Sequence, residues 1–330
     1  MLTTRFLNDQ LRETLSKRRS ENGFELADVL RSGTENPDSN IGAYAGDASC
    51  YEVFSELFDQ VIEAYHGYTP DQQHYEQFEP LAADSVGKLN LADPRIISTR
   101  IRVGRNIKDY PFPPSISHAS RLTLEAKIAT ILNQLTVDQK GRYYSLSQMS
   151  DSEQRELTEQ HYLFKKGDRF LESAGVNRDW PSGRGIFYTA EKKFLVWVNE
   201  EDHLRIISMQ QGGAIATVYE RLRQAVLTIG AELPFARNNR LGYLCSCPTN
   251  LGTAMRASVH IKLPRLGQSE ELANICKSLN LSVRGIHGEH SESKDDIWDI
   301  SNTQRLGISE IEVIKTLFQG VKSLLQEEDR

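Results

Sequence analysis

The sequence predicts an α+β protein: a small all-helical N-terminal unit, then a larger unit built on an antiparallel sheet with helices on one side. Three observations carry this. Residues 1 to about 66 place apolar side chains at helical spacing with no alternating stretch, as in Val53, Phe54, Leu57, Phe58, Val61 and Ile62. Ile96–Val103 and Ala257–Leu263 alternate instead, as half-buried strands do. Hairpin-joined strands are interspersed with long helical stretches but lack a regular strand–helix–strand rhythm, which favours antiparallel pairing.

In chain order, the segment Ser32–Tyr44 interrupts the first helices with turn formers and is long for a mere connection; long ordered loops tend to be functional. Residues from about 67 to 93 are polar and irregular, with Gly67, Pro70, Pro80 and Gly87 ahead of Pro94. The expected division is a helical domain over 1–70, a linker over 71–92 and the large domain over 93–330. In the first strand Ser98, Arg100 and Arg102 share one face, with Ile97, Thr99, Ile101 and Val103 on the other. Leu122–Leu135 and Asp151–Leu163 read as helices, the second capped by Ser150 or Asp151 with Glu153 near the N3 position. Phe194–Val198 and Leu204–Ser208 flank the polar turn Asn199–Asp202 and form a hairpin. Ala214–Gly230 and Ser309–Leu325 are amphipathic helices, and a later strand carries Arg256, Ser258, His260 and Lys262 on one face at about 6.6 Å spacing.

The 330 residues carry a formal net charge of -6, which argues against the broad basic face that nucleic-acid binding needs. No apolar run approaches the roughly 18 to 20 residues of a membrane span. The segment Met1–Asp9 has neither a sustained apolar core nor a cleavage signal, so a cytoplasmic protein is expected. Cys50, Cys245, Cys247 and Cys276 are too scattered for a disulfide framework and contain no C-x-x-C pair, so reduced thiols are expected.

Within this acidic chain Arg100, Arg102, Arg205, Arg256 and Arg284 all fall in strands or at strand ends. Burying five guanidinium groups without counter-charge costs several kcal/mol each by desolvation, roughly, so a polyanion is the natural reason to gather them. Neither a G-x-x-x-x-G-K-[ST] loop nor a complete glycine-rich dinucleotide or kinase loop is present, and phosphates would have to be held by arginine side chains. The turn Asn199-Glu200-Glu201-Asp202 is acidic, as solvated turns often are, yet Trp197-Val198 and Ile206-Ile207 place it at the end of buried strands. Cys247 opens a turn-rich stretch whose hydroxyls and free N–H groups favour a thiolate, against the inert buried cysteine that is more usual. His287 and His290 have ligand-like spacing without the remaining partners of a zinc site. Arginines cradling a triphosphate would leave Glu201 and Glu289 to grip a small cation opposite.

The strings C-P-T-N-L-G-T at Cys247–Thr253, R-A-S-V-H at Arg256–His260, N-E-E-D-H-L-R at Asn199–Arg205, S-T-R-I-R at Ser98–Arg102 and R-G-x-x-G-E-H at Arg284–His290 resemble the phosphagen (ATP:guanidino) kinase family. The resemblance covers nearly the whole chain and lies nearest the members that phosphorylate free L-arginine. It implies a small helical domain beside a large domain with an eight-stranded antiparallel sheet flanked by helices. It further implies reversible transfer of the ATP γ-phosphoryl group to L-arginine, giving phosphoarginine and ADP, with Mg2+. Carried onto this sequence, Arg100, Arg102, Arg205, Arg256 and Arg284 would bind phosphates, with Ser98, His161, His260 and Asp299 completing the ATP site. Glu201, Glu289 and Cys247, with Arg205, would be catalytic. The loop Ser39, Asn40, Ile41, Gly42, Ala43 and Tyr44 would hold the amino-acid carboxylate through backbone amides and the tyrosine hydroxyl. Asp38 and Arg169 match an ion pair between domains, and Glu200 would touch the metal only through water, no residue ligating it directly.

The chain departs from the family pattern at Asn40, at Cys245, whose spacing from Cys247 suggests an oxidation partner, and at Lys294-Asp295-Asp296. Three alternatives stay open: a protein-arginine kinase, a kinase for another guanidino compound such as creatine or taurocyamine, and a catalytically silent nucleotide-binding scaffold. Monomer and homodimer fit the sequence equally.

Overall fold

Alternation in the sequence becomes one long antiparallel sheet. The computed structural model describes residues 1–76, 78–81, 88–137, 139–269, 271–285 and 295–330. Among these, eight strands form the sheet: β1 Ile96–Arg105, β2 Gln139–Ser145, β3 Gly185–Thr189, β4 Phe194–Val198, β5 Leu204–Gln211, β6 Met255–Lys262, β7 Leu281–Gly285 and β8 Ile297–Asn302. Their order is β7-β8-β6-β1-β5-β4-β3-β2, and the two-residue stretch Thr136–Val137 extends the β2 edge. Every pairing between them is antiparallel, as the hairpin-rich sequence requires.

Among the described residues five helices precede β1: α1 Leu2–Phe6, α2 Asp9–Leu15, α3 Leu26–Glu35, α4 Cys50–Val53 and α5 Ser55–His66. Six more among the described residues come after β1: α6 His118–Gln134, α7 Asp151–Glu159, α8 Arg169–Ser173, α9 Ile215–Glu232, α10 Glu271–Ser278 and α11 Glu310–Glu328. Ser150 and Glu153 form the expected reciprocal capping box on α7, and Ser309 and Glu312 form a further one on α11. Helix α7 stops at Glu159, four residues short of the expected end, because His161 turns the chain with φ +61°.

One face of the sheet carries the main core. Ile101, Val103, Val196, Val198, Leu204, Ile206, Ala257, Val259 and Ile261 pack there against α6, α9, α10 and α11. That leaves the opposite face of β1, β6 and β8 polar, as the alternation predicts. The expected partition fails at Ile97, which is exposed: the register with β6 shifts between Ile96 and Ser98, so Ile96 takes the inward position. The N-terminal helices have their own core, around Leu26, Val29, Tyr51, Phe54, Leu57, Phe58 and Val61, and Phe112, Leu241, Leu244, Leu251 and Leu306 complete it from the large domain.

The buried histidines make the fold acid-sensitive. The His203 ring accepts from the Ile107 N–H at 3.0 Å through Nδ1, and its Nε2 donates to the Pro111 carbonyl at 3.0 Å. The bond accepted by Nδ1 needs the neutral ring, and burial pushes its pKa down to about 3, with the Pro111 bond opposing. Since the unfolded ring protonates first, its contribution to stability is complete above the ordinary histidine pKa near 6.5 and is lost as pH falls toward about 3. Burial raises Glu201 and Asp202, which act in the opposite sense, so the comparison is with a variant. Between about pH 6 and 4 the unfolding free energy of His203→Gln is expected to fall less steeply than that of the parent, by about 1.4 kcal/mol per pH unit, in urea titrations across that range.

Candidate active site

Strand register gathers the arginines before any side chain is considered. Ser98 pairs with His260, His260 with Asp299, and Asp299 with Arg284, so these four form one rung on the polar face. The next rung holds Arg100, Ser258, Ser301 and Ser282. The third sets Arg102 directly opposite Arg256, and Arg205 follows on β5 opposite Gly104. Directly opposed strand residues lie about 5 Å apart, so like charges are being held together.

The resulting electrostatics favour an anion. Burial first, then Arg256 and Arg205, pulls the Arg100 pKa down to about 10, with Asp299 and Glu200 opposing. Arg102 is depressed further by burial and by Arg205, Arg100, Arg256 and Arg305. Asp299 accepts from Arg256 Nη2 at 2.7 Å; burial opposes its charge, yet Arg256 holds its pKa below the ordinary carboxylate value. Arg100 and Arg205 lie over the Trp197 ring at 6.0 and 5.4 Å. His260 is kept neutral by burial and by the neighbouring guanidinium groups, with His161 beyond adding to the effect.

The acidic turn is not a solvated one. Asn199 takes φ +56° and donates from Nδ2 to the Gly183 carbonyl at 2.7 Å, which folds the turn back onto the sheet. The Glu200 and Glu201 side chains are only 14% and 16% exposed, at 3.1 and 2.7 Å from Arg205 Nη2. Burial pushes the Glu201 pKa up to about 7 against the pull of Arg205, with Glu200 and Asp202 adding to the rise. Asp202, itself buried, accepts from Asn106 Nδ2 and from the Ser246 N–H, both at 2.7 Å. Asp202 thereby fixes the Glu201 turn to the Cys247 loop.

Cys247 precedes a short 3-10 turn, Pro248–Asn250, and its Sγ lies 3.1 Å from Thr249 Oγ1. The expected thiolate is not what the protein's own groups favour: burial and then Glu201 push this thiol up to about 12, and the Thr249 contacts offset only part of that. A cation arriving beside it is needed to reverse the balance. Cys245 and Cys247 are both free and buried, so the structure shows no oxidised pair.

A sixth guanidinium belongs to the cluster. Arg305 donates to the Thr249 carbonyl at 3.2 Å and to Asn250 Oδ1, and its charge bears on Arg102. The Thr253 N–H donates back to the Arg305 carbonyl at 2.9 Å. Gly252, at φ +85°, has no room for a side chain, since a Cβ would stand 2.2 Å from that carbonyl oxygen. Sequence reading missed Arg305 because it lies beyond β8 in no motif string, and Asn106 because an isolated asparagine carries no pattern.

The N-terminal loop reaches the same place. Burial raises the Tyr44 hydroxyl pKa well above its ordinary value, and the charges of Cys247 and Glu201 add to the rise, so the phenol lies within electrostatic reach of both. The Ala45 N–H donates to the Ser246 carbonyl at 2.7 Å. The amides of Ser39, Gly42 and Tyr44, expected to face a ligand, already donate to the Asn36 carbonyl, Ser39 Oγ and the Val29 carbonyl. The carbonyls of Asn40 and Ile41 accept from Leu2 and Thr3. Asp38 pairs with Arg169 of α8, at 2.8 Å between Oδ1 and Nη1. Glu289, His287, His290 and Lys294 lie outside the described residues.

A sequence model of the ATP:guanido phosphotransferase C-terminal catalytic domain matches residues 123–330, and one of the N-terminal domain of the same family matches residues 1–63. An arginine kinase of Penaeus monodon is 44% identical over 335 residues, covering 99% of this chain and 92% of its own. A crystal structure of lombricine kinase superposes with a TM-score of 0.94 at 38% identity over 99% of this chain and 92% of that one. The substrate-free duplicated taurocyamine kinase from Schistosoma mansoni gives 0.91 at 39% identity, with 99% of this chain matching 46% of that longer one. With catalytic and N-terminal models matched on one chain, and the guanidinium array and buried acidic turn placed on one sheet face, the chain belongs to the ATP:guanido phosphotransferases, the phosphagen kinase family.

Proposed function

We propose that this protein is an arginine kinase, transferring the γ-phosphoryl group of ATP reversibly to the guanidinium of free L-arginine. One observation carries the reading: buried Glu201 accepts from Arg205 Nη2 at 2.7 Å and from Asn250 Nδ2 of the Cys247 turn at 3.3 Å, an acidic group standing between the guanidinium face and the Cys247 loop, as an acceptor site beside a phosphate site requires. Arg100, Arg102, Arg205, Arg256, Arg284 and Arg305 would receive the phosphates, and Ser98, His161, His260 and Asp299 would border the rest of the nucleotide. The identity to arginine kinases along nearly the full chain supports arginine as the acceptor.

A guanidinium remains protonated up to a pKa of about 12 or more, so Glu201 orients the attacking nitrogen and balances its charge and does not strip a proton beforehand. Rate then comes from alignment of the two substrates and from charge placed ahead of time around the transferring group. Glu289 would act opposite Glu201. Mg2+ fits Glu200: its Oε2 is buried and, though 3.1 Å from Arg205 Nη2, accepts no directed hydrogen bond, which suits it to a metal-bound water. When bound on the phosphates, Mg2+ supplies charge neutralisation there. No helix among the described residues is long and apolar enough to cross a membrane, and we place the protein in the cytoplasm, where ATP is abundant.

Cys247→Ala is expected to slow turnover by about 10- to 100-fold without abolishing it, since the sulfur is an electrostatic neighbour of the acceptor and not a covalent nucleophile. Stopped-flow and mass spectrometric trapping during turnover check this; a phosphorylated Cys247 would contradict it. The assignment as a whole is tested by ADP release with L-arginine, creatine, glycocyamine, taurocyamine and lombricine, and by labelled ATP with an arginine-containing peptide. The largest kcat/KM should belong to L-arginine. Labelling of the peptide with no turnover of free arginine would make this a protein-arginine kinase, and preference for taurocyamine or lombricine would align it with the kinases it superposes on.

A further inference from the structure

Gly33 sits in the last turn of α3, where glycine is still a weaker helix former than alanine. Its backbone is helical, so conformation does not require glycine there; space does. A Cβ on Gly33 would stand 2.6 Å from both the Cα and the carbonyl oxygen of Gly42, and 2.6 Å from Met1 Sδ. Real Cβ contacts are never that short, and two of the three opposing atoms are backbone.

Gly42 lies in the loop read above as the acceptor loop, and that loop is fastened from both sides. Asn40 and Ile41 accept from Leu2 and Thr3 at 2.9 and 3.2 Å, and the Tyr44 N–H donates to the Val29 carbonyl of α3 at 3.0 Å. On the far side the Ala45 N–H holds the Ser246 carbonyl at 2.7 Å, next to Cys247. The loop is thus a layer between α1 with α3 and the Cys247 loop, and the Gly33–Gly42 contact sets how far it can withdraw from the acceptor.

We propose that Gly33 is a specificity-determining positioning residue: backbone-to-backbone contact with Gly42 sets the depth of the acceptor pocket and so the chain length of guanidino acid it accepts. This rests on the reading of the loop as the acceptor-carboxylate site. A methyl at Gly33 displaces Gly42 by about an ångström toward Cys247, because close-packed backbone cannot absorb it. A shift of that size at a binding loop changes the fit of the acceptor while leaving the phosphate side alone.

The test is Gly33→Ala, with Thr34→Ala as a control on the exposed side of the same helix. Gly33→Ala is expected to raise the KM for L-arginine about tenfold with kcat within about threefold and the KM for ATP within about twofold, the pattern of lost ground-state binding. The ratio of kcat/KM for glycocyamine to that for arginine should rise at least about fivefold, since a shallower pocket favours the shorter acid. Thermal unfolding should come slightly lower, since overpacking against Gly42 costs more than the gain in helix propensity returns. If Gly33→Ala yields no folded protein, Gly42→Ala perturbs the same contact from the loop side, its Cβ standing 2.1 Å from Met1 Sδ and 2.6 Å from Thr3 Oγ1, with the φ of +81° adding backbone strain in the loop itself. A folded variant of either kind with an unchanged arginine KM and glycocyamine ratio overturns the inference. Parent enzyme that turns over no free guanidino acid overturns the reading beneath it instead.

Discussion

Replacing Glu201 by glutamine is expected to lower kcat by about 10²- to 10³-fold while the KM for arginine changes less than about tenfold. The amide keeps the size and can still accept from Arg205 Nη2, which lies 2.7 Å from Oε2 in the parent, so the pocket should hold its shape. What disappears is a negative charge in a site where burial magnifies it. Because that charge is already disfavoured by burial and by Glu200 and Asp202, its removal should leave thermal stability unchanged or raised. Steady-state kinetics with paired melting curves separate the two effects, and turnover like the parent's would remove Glu201 from the mechanism. The pH profile offers a second check. Protonation of Glu201 near pH 7 in the protein alone should make kcat/KM fall as pH drops through that region, and the glutamine variant should lose this limb.

The layer architecture was legible because it rests on periodicity. Alternation in Ile96–Val103 and Ala257–Leu263 identified the two strands whose pairing sets Arg102 against Arg256 and Arg100 against Ser258. The capping pair Ser150–Glu153 marked a helix start correctly. The short strand β2 was missed because Gln139–Ser145 mixes polar and apolar residues without strict alternation, and its pairing is decided by a neighbour distant in sequence. The burial of the acidic turn was foreshadowed by its apolar flanks, but its depth depends on Asn106 and Ser246, far along the chain. The same distance hides the state of Cys247: local hydroxyls suggest a thiolate, and only the packed site reveals that burial and Glu201 outweigh them. Motif strings located catalytic side chains, while the groups that fix their spacing lie outside those strings.

Arg205→Ala should be the most damaging single change in this site, reducing turnover below about 10⁻³ of the parent and destabilising the fold by about 3 to 5 kcal/mol at neutral pH. Arg205 is the one cation hydrogen-bonded to both Glu200 and Glu201 among the described residues, and its side chain is 16% exposed. Truncation removes a candidate phosphate contact and strands two carboxylates at once. They relieve the penalty by taking up protons, which raises their folded-state pKa values above those of the unfolded chain. A carboxyl group shifted that way contributes stability below its unfolded pKa and loses it as pH rises through the folded one. The destabilisation relative to the parent should therefore be larger at pH 8 than at pH 6, by urea unfolding at both. Arg205→Lys separates charge from geometry: a lysine restores one cation and most of the stability, but not the planar fork that reaches two carboxylates, so turnover should stay at least about tenfold below the parent. Equal stability of Arg205→Ala at the two pH values would mean that the carboxylates find other partners, and the account of the acidic turn as held by Arg205 would fail.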